Sequence, residues 1–137
     1  MKLGPAEIQL INALDSIARV GARDCFVQDE GIVFLVPEKS MRQAIGKNGV
    51  TIQKIREKLG KHVEIFGYSE KPEKFLENAF FRAKIDEVEI RQSKEKKVAI
   101  IKADNANKKV MLQNMGRLKK IKELAKRNYD IAEIRIR

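Results

Sequence analysis

The sequence predicts an α+β fold made of two similar modules. Its first half reads as helix, strand, strand, helix, helix, strand, and its second half repeats that order. A repeat period of roughly 65 residues is too long for a solenoid and fits two small domains side by side. In each module we expect a three-stranded sheet covered on one face by three helices. The predicted modules are residues 1–68 and 69–137.

The first module opens with a helix that has Pro5 in its first turn, where proline is tolerated. A strand pair and two short helices follow, and a final strand completes the module. The predicted bounds of these elements, in chain order, are residues 5–20, 24–28, 32–36, 40–45, 50–59 and 62–66.

The second module repeats these elements, again with a proline, Pro72, placed for the first turn of a helix. The break before it, residues 67–74, contains Gly, Ser and Pro and has no apolar periodicity. The last strand is marked by Ile131, Ile134 and Ile136. The predicted bounds, in chain order, are residues 72–83, 88–91, 98–101, 105–113, 118–125 and 131–136.

Charge is the most informative bulk property of the 137-residue chain. The formal net charge is +10, and it is uneven. Residues 1–68 carry 10 basic and 8 acidic residues, a net +2, whereas residues 69–137 carry 19 and 11, a net +8. A basic module favours a polyanionic partner, most often nucleic acid. The alternative is a charged surface that keeps the protein soluble, as in a thermophile rich in Lys and Glu.

The two short helices of the first module meet at a glycine-x-x-glycine turn, Gly46-Lys47-Asn48-Gly49. Two glycines permit a sharp turn and leave no Cβ in the way of a close ligand. At the start of a helix, amide N–H groups lack intrahelical partners and the helix dipole favours an anion such as phosphate. Lys47 adds a mobile positive charge. The alternative is an ordinary connection between helices.

Residues 36–55, which include this turn, resemble the core of a KH domain. An extra helix and strand before the turn, instead of after it, is the order of the type II version. Two such modules joined by a short linker are similar to the archaeal NusA type of transcription factor. The resemblance therefore implies two tandem type II KH modules, each with a mixed three-stranded sheet.

The resemblance also implies the ligand and its contacts. KH modules bind single-stranded RNA, with the glycine turn clamping the backbone and an adjacent apolar groove receiving the bases. On this chain the clamp would be Gly46, Lys47, Asn48 and Gly49, with Ile45 and Val50 shaping the groove. Arg42, Lys54 and Arg56 are further candidates for phosphate contact.

The second module departs from this pattern. A gapless overlay places Met111 on Ile45 and Ile121 on Ile55, and the turn position then reads Leu112-Gln113-Asn114-Met115. Shifting the overlay by one residue gives Gln113-Asn114-Met115-Gly116, which lacks the first glycine. RNA contact here would be electrostatic and sequence-tolerant, because it would come from basic side chains. The candidates are Arg117, Lys119, Lys120 and Lys122, with Lys126 and Arg127 further along.

Five further residues, one histidine, one cysteine and three phenylalanines, are expected to have structural roles. His62 is expected at a strand edge, because no second histidine or cysteine pair exists to build a metal site. Cys25 is expected in the core. Phe75, Phe80 and Phe81 are interpreted as core residues in preference to base-stacking groups, Phe81 being the one that could face solvent.

The functional prediction is a non-catalytic, cytoplasmic protein that binds single-stranded RNA, the nascent transcript, in transcription elongation or termination. No Walker loop, metal-ligand cluster or Ser/His/Asp arrangement supports an enzyme, and no cofactor is expected. RNA polymerase is a possible partner, and a monomer is expected. Two alternatives remain: a ribosomal or rRNA-processing KH protein, and a protein-interaction adaptor that keeps the fold without using its groove.

Overall fold

A computed structural model describes residues 3–137. The described chain divides into two compact units, one ending at Ser69 and the other comprising Glu70–Arg137. Each unit has one three-stranded sheet and three α-helices in the order helix, strand, strand, helix, helix, strand. The predicted α+β class and the two mixed sheets are confirmed. No helix among the described residues combines the length and hydropathy that crossing a membrane would need.

The first unit comprises α1 to α3 and β1 to β3. Its bounds are α1 Pro5–Ala18, β1 Asp24–Gln28, β2 Gly31–Pro37, α2 Met41–Ile45, α3 Val50–Leu59 and β3 His62–Tyr68. β2 lies in the centre of the sheet, antiparallel to β1 and parallel to β3. The parallel pairing requires a crossover between β2 and β3, and α2 and α3 supply it.

One core holds this unit together. Leu14 of α1, Phe34 of β2 and Ile55 of α3 belong to the same buried cluster, together with Cys25. Gln43 on α2 also contacts the end of α1, because its side-chain amide donates to Ala18 O and Arg19 O at 3.0 Å each. The helix pair that contains the glycine turn is therefore fixed to both the sheet and α1.

The first helix ends two residues earlier than its apolar spacing predicts. Arg19 takes a left-handed conformation, with φ 59°, and its N–H donates to Asp15 O at 2.9 Å. A left-handed residue after the last turn satisfies a terminal carbonyl and stops the helix. Val20 is buried outside the helix, so its place in the apolar pattern reflects core packing instead of helical structure.

The second unit comprises α4 to α6 and β4 to β6. Its bounds are α4 Pro72–Ala79, β4 Glu87–Ser93, β5 Lys96–Lys102, α5 Asn105–Gln113, α6 Met115–Tyr129 and β6 Ile131–Ile136. β5 lies in the centre, antiparallel to β4 and parallel to β6. Ile131 pairs with Lys97 and Glu133 with Val98, so one extra residue bulges from β6. This bulge lets Ile131 and Ile134, three residues apart, both be buried.

The prediction that α4 reaches Ala83 is wrong. A continuing helix would pair the N–H of Ala83 with Ala79 O, but the Ala83 N–H donates to Phe80 O at 2.9 Å. Ala79 O instead accepts from Arg117, whose Nε and Nη2 lie 3.3 and 3.1 Å away. Phe80 stays buried beyond the helix end, and Phe81 turns outward to 63% exposure.

Candidate nucleic-acid interface

The glycine turn has an unusual backbone conformation. After α2 ends at Ile45, Gly46 adopts φ 80° and ψ 166°, and Lys47–Gly49 form a tight, non-helical turn before α3. Asn48 and Gly49 are both left-handed, with φ values of 56° and 75°. Left-handed backbone is accessible to Asn at modest cost and to Gly at none. The residue types of the turn therefore match the conformation that it adopts.

The two glycines are required for different reasons. A Cβ on Gly46 would overlap the Thr51 hydroxyl and lie 2.7 Å from the Thr51 backbone nitrogen. A Cβ on Gly49 would have only Ile52 nearby, at 3.8 Å, and otherwise face open space. Gly46 thus lets the turn close against α3. Gly49 supplies the left-handed backbone and leaves the outer surface of the turn open.

Within the described residues, two backbone amides of the turn are not engaged in internal hydrogen bonds. The Gly46 N–H donates to Arg42 O at 2.8 Å, and the Gly49 N–H donates to Gly46 O at 3.1 Å. Within the described part of the chain, the N–H groups of Lys47 and Asn48 make no such bond. They precede α3, so the helix dipole adds to their positive potential. This arrangement can bind an anionic oxygen.

Side chains of both polarities surround the turn. Lys47 and Asn48 are exposed, and Val50, the first residue of α3, is 53% exposed. Lys54 lies one turn after Val50 on the same side of α3 and is also exposed. The turn is therefore bordered by an accessible apolar side chain and by ammonium groups, as contact with bases and phosphates requires.

The other predicted groove residues differ in their accessibility. Arg42 on α2 is exposed, and Ile45 is half-buried. Arg56 is half-buried and contacts the sheet, because its Nε and Nη2 donate to Val63 O at 3.4 and 3.1 Å. The Arg56 guanidinium therefore connects α3 to β3 in this structure.

The second unit lacks the glycine turn at the corresponding place. A single residue, Asn114, with φ −99°, separates α5 from α6. Its side-chain oxygen accepts from the Arg117 N–H at 3.0 Å, which caps α6. Leu112 and Met115 flank Asn114 and are 47% and 55% exposed. A side-chain cap and exposed apolar side chains thus take the place of the glycine turn.

The basic residues of α6 occupy different environments. Lys119 and Lys122 are exposed, whereas Lys120 is buried at 7% exposure. Arg117 is half-buried, bonded to Ala79 O, and has its guanidinium carbon 5.0 Å from the Phe81 ring centre. Lys126 is also exposed. The predicted cluster is therefore not one uniform face.

Ion pairs occupy one face of the second sheet. The pKa of Glu133 is lowered to about 2, first by the hydrogen bond from Arg135 and then by the one from Lys96. The pKa of Glu89 is lowered chiefly by its hydrogen bond from Arg91. Opposite charges are balanced across this face, which makes it a poorer phosphate surface than the lysines of α6. The described residues include no cluster of three or more His, Cys, Asp or Glu side chains that could hold a metal.

Phe81 and Thr51 were not among the predicted site residues. Thr51 forms the wall against which Gly46 closes, and no local pattern indicates that role. Phe81 was the one of the three phenylalanines expected to be able to face solvent, and it is 63% exposed, but no local pattern places the Arg117 guanidinium beside its ring.

Comparison with known proteins places this geometry in a family. The family model described as KH domain matches residues 31–104, more than half of the chain and including the glycine turn. A protein named "Probable transcription termination protein NusA" from Methanocaldococcus jannaschii is 31% identical over 137 residues, which are 99% of this chain and 75% of that protein. A protein of the same name from Halococcus morrhuae is 29% identical, over 98% of this chain and 96% of its own length.

A solved structure has the same fold along nearly the whole chain. The crystal structure of APE1850 superposes with a TM-score of 0.90 and 28% identity, covering 98% of this chain and all of that one. Two findings determine the family: the KH model matches more than half of the chain, and the M. jannaschii relative is 31% identical over 99% of it. The chain belongs to the KH-domain family and, within it, to the archaeal NusA-like proteins.

Proposed function

We propose that this protein binds single-stranded RNA at the Gly46–Gly49 turn and acts in transcription termination or elongation without catalysing a reaction. The observation that supports RNA binding best is the pair of amides, Lys47 N–H and Asn48 N–H, that make no internal hydrogen bond at the start of α3. The transcription role rests on the names of the archaeal relatives.

The mechanism of binding follows from the groups around the turn. A phosphate oxygen accepts from the two amides while Lys47 adds a charge-assisted contact. Because the outer side of Gly49 is open, the RNA backbone can approach closely. Val50 and Ile45 then form apolar contacts with the bases. Arg42 and Lys54 form ionic contacts with neighbouring phosphates. Arg56 acts mainly by holding α3 on β3, since its guanidinium is bonded to Val63 O.

The proposal extends to the organisation of the chain. Residues 1–68 and 69–137 are two type II KH modules. This assignment is supported by the helix and the strand that precede each central strand, β2 in the first module and β5 in the second. The first module binds RNA through the backbone amides of its glycine turn. The second adds electrostatic contacts from the exposed Lys119 and Lys122. The factor works in the cytoplasm as a monomer on the nascent transcript, next to RNA polymerase.

A charge-matched pair of variants tests this function. Lys47→Asp/Asn48→Asp places two carboxylates at the phosphate site, whereas Asn12→Asp/Lys61→Asp makes the same change in net charge at exposed positions on α1 and before β3. One charged hydrogen bond contributes at least about 1.5 kcal/mol, so the loop variant should bind single-stranded RNA about tenfold or more weakly. Fluorescence anisotropy at fixed salt measures both affinities. Equal losses in the two variants would show a general charge effect and would refute a specific clamp.

A further inference from the structure

Phe81 is an exposed aromatic ring in a charged setting. Its 63% exposure is the highest among the large apolar side chains of the described residues, although its neighbour Phe80 is only 6% exposed. Phe81 follows the end of α4, in the turn that the Arg117 contact to Ala79 O stabilises. The fold therefore directs one of two adjacent phenylalanines into the core and the other into solvent.

Two guanidinium groups accompany this ring. The guanidinium carbon of Arg117 lies 5.0 Å from the ring centre and that of Arg82 lies 5.4 Å from it, both within cation–π range. Arg117 is held in place by two hydrogen bonds to Ala79 O. The three flat groups form what we call the Phe81 platform, defined by Phe81, Arg82 and Arg117. Flat aromatic and guanidinium surfaces are the groups on which unpaired bases stack.

The Phe81 platform lies next to the helix junction of the second unit. Arg117 lies in the first turn of α6, next to the helix junction where the second unit has Asn114 in place of a glycine turn. The junction has no glycine pair that would let a nucleic-acid backbone approach closely, so we expect RNA contact there to come from side chains. The platform supplies such side chains, and the exposed Lys119 follows two residues later on α6.

We propose that the Phe81 platform is a second contact for single-stranded RNA, in which one base stacks on Phe81 and the exposed Arg82 contacts a flanking phosphate, while Arg117 stays bonded to Ala79 O and holds the platform in place. This inference rests on the proposed function, because it assumes the same ligand. A protein with an acidic surface would match the charge of residues 69–137, a net +8. It would not, however, offer the flat partner that an exposed ring beside guanidiniums suits, and we therefore favour RNA.

The chain contains no tryptophan, which makes a direct optical test possible. Phe81→Trp introduces a single indole at the platform, and Ile8→Trp places one at a 47% exposed apolar position on α1 as a control. Titration of each full-length variant with a single-stranded RNA oligonucleotide should quench the indole introduced at position 81 and leave the one introduced at position 8 unchanged. The same titration in the Lys47→Asp/Asn48→Asp background should give quenching at higher RNA concentration.

Affinity completes the test. Phe81→Ala should weaken binding about 5- to 150-fold, the range for removal of one base stack, without changing the dependence of log K on log salt, because no charge is removed. Ile8→Ala should bind as the wild type does. If the wild-type chain binds RNA while Phe81→Ala is unaffected and the indole is not quenched, the platform is not an RNA contact, as a protein-docking role would predict. If the wild-type chain binds no RNA, both this inference and the proposed function are wrong.

Discussion

Replacing Gly46 by alanine should destabilise the glycine turn, and the geometry of the turn allows the loss of stability to be estimated. At φ 80° and ψ 166°, Gly46 occupies a region that is essentially restricted to glycine, and an L-residue there costs about 1–3 kcal/mol. The new Cβ would also lie 2.7 Å from the Thr51 backbone nitrogen. Because that neighbour is backbone at the start of α3, it cannot move aside as a side chain could. We expect the free energy of unfolding to fall by about 3 kcal/mol or more.

Gly49→Ala is the matched control, because it makes the same chemical change three residues away. Gly49 is left-handed with φ 75°, so alanine there costs about 1–2 kcal/mol, but the nearest atom to its Cβ is 3.8 Å away and no steric term is added. Its Cβ would instead project into the open side of the turn. We therefore expect Gly49→Ala to be the milder change in stability and still to weaken RNA binding.

Urea unfolding followed by far-ultraviolet circular dichroism measures the stability of both variants, and anisotropy measures their RNA affinity. The decisive quantity is the difference between the two midpoints at equal m value. If Gly46→Ala is no less stable than Gly49→Ala, the close approach of Gly46 to Thr51 does not exist in solution, and the argument from the turn geometry fails.

Three further predictions concern the second unit. Lys119→Gln/Lys122→Gln should reduce the magnitude of the salt slope of RNA binding by roughly 0.7 for each phosphate that these lysines neutralise, and an unchanged slope would mean that they face only solvent. Asn114→Ala should lower stability by about 1 kcal/mol in chemical denaturation, because α6 loses its side-chain cap, whereas Asn114→Ser should retain most of it. Glu133 has a folded pKa lowered to about 2, first by Arg135, so it stabilises the fold above its ordinary pKa of 4.5, and that contribution disappears as the pH falls towards 2. Glu133→Gln should therefore flatten the pH dependence of the urea midpoint between about 4.5 and 2, and an unaltered profile would contradict the pairing.

Residue patterns located most elements of the fold. β1 at Asp24–Gln28 and α5 at Asn105–Gln113 have the bounds that the sequence predicts. Two errors arise at helix ends, one from local backbone conformation and one beside a residue distant in sequence. α1 stops early at a left-handed Arg19, and α4 stops early because Arg117, 38 residues away in sequence, takes the carbonyl of Ala79. Local spacing contains no information about such a partner.

For the candidate site, the sequence indicated the backbone of the turn but not the surroundings of each basic side chain. Gly46 and Gly49 are visible in the sequence because glycine has a specific conformational role, and the positive φ angles agree with that role. The different surroundings of Arg56, which is bonded to Val63 O, and of Lys54, which is exposed, could not be inferred from two basic residues on one helix. Charge in the sequence indicates a basic surface, but the partner of each charge depends on what the fold places beside it.

The sequence by itself determined the α+β class, the repeated order of elements, the glycine turn in the first half and its absence from the second. These properties follow from local preferences: periodic apolar residues, helix-starting prolines and glycines at strained backbone positions. Only the tertiary structure decided that Gly46 closes against Thr51, that Asn114 caps α6, and that Arg117 lies beside the exposed ring of Phe81. The first two depend on backbone conformation and side-chain direction where a helix begins, where local periodicity no longer applies, and the third depends on packing between segments distant in sequence.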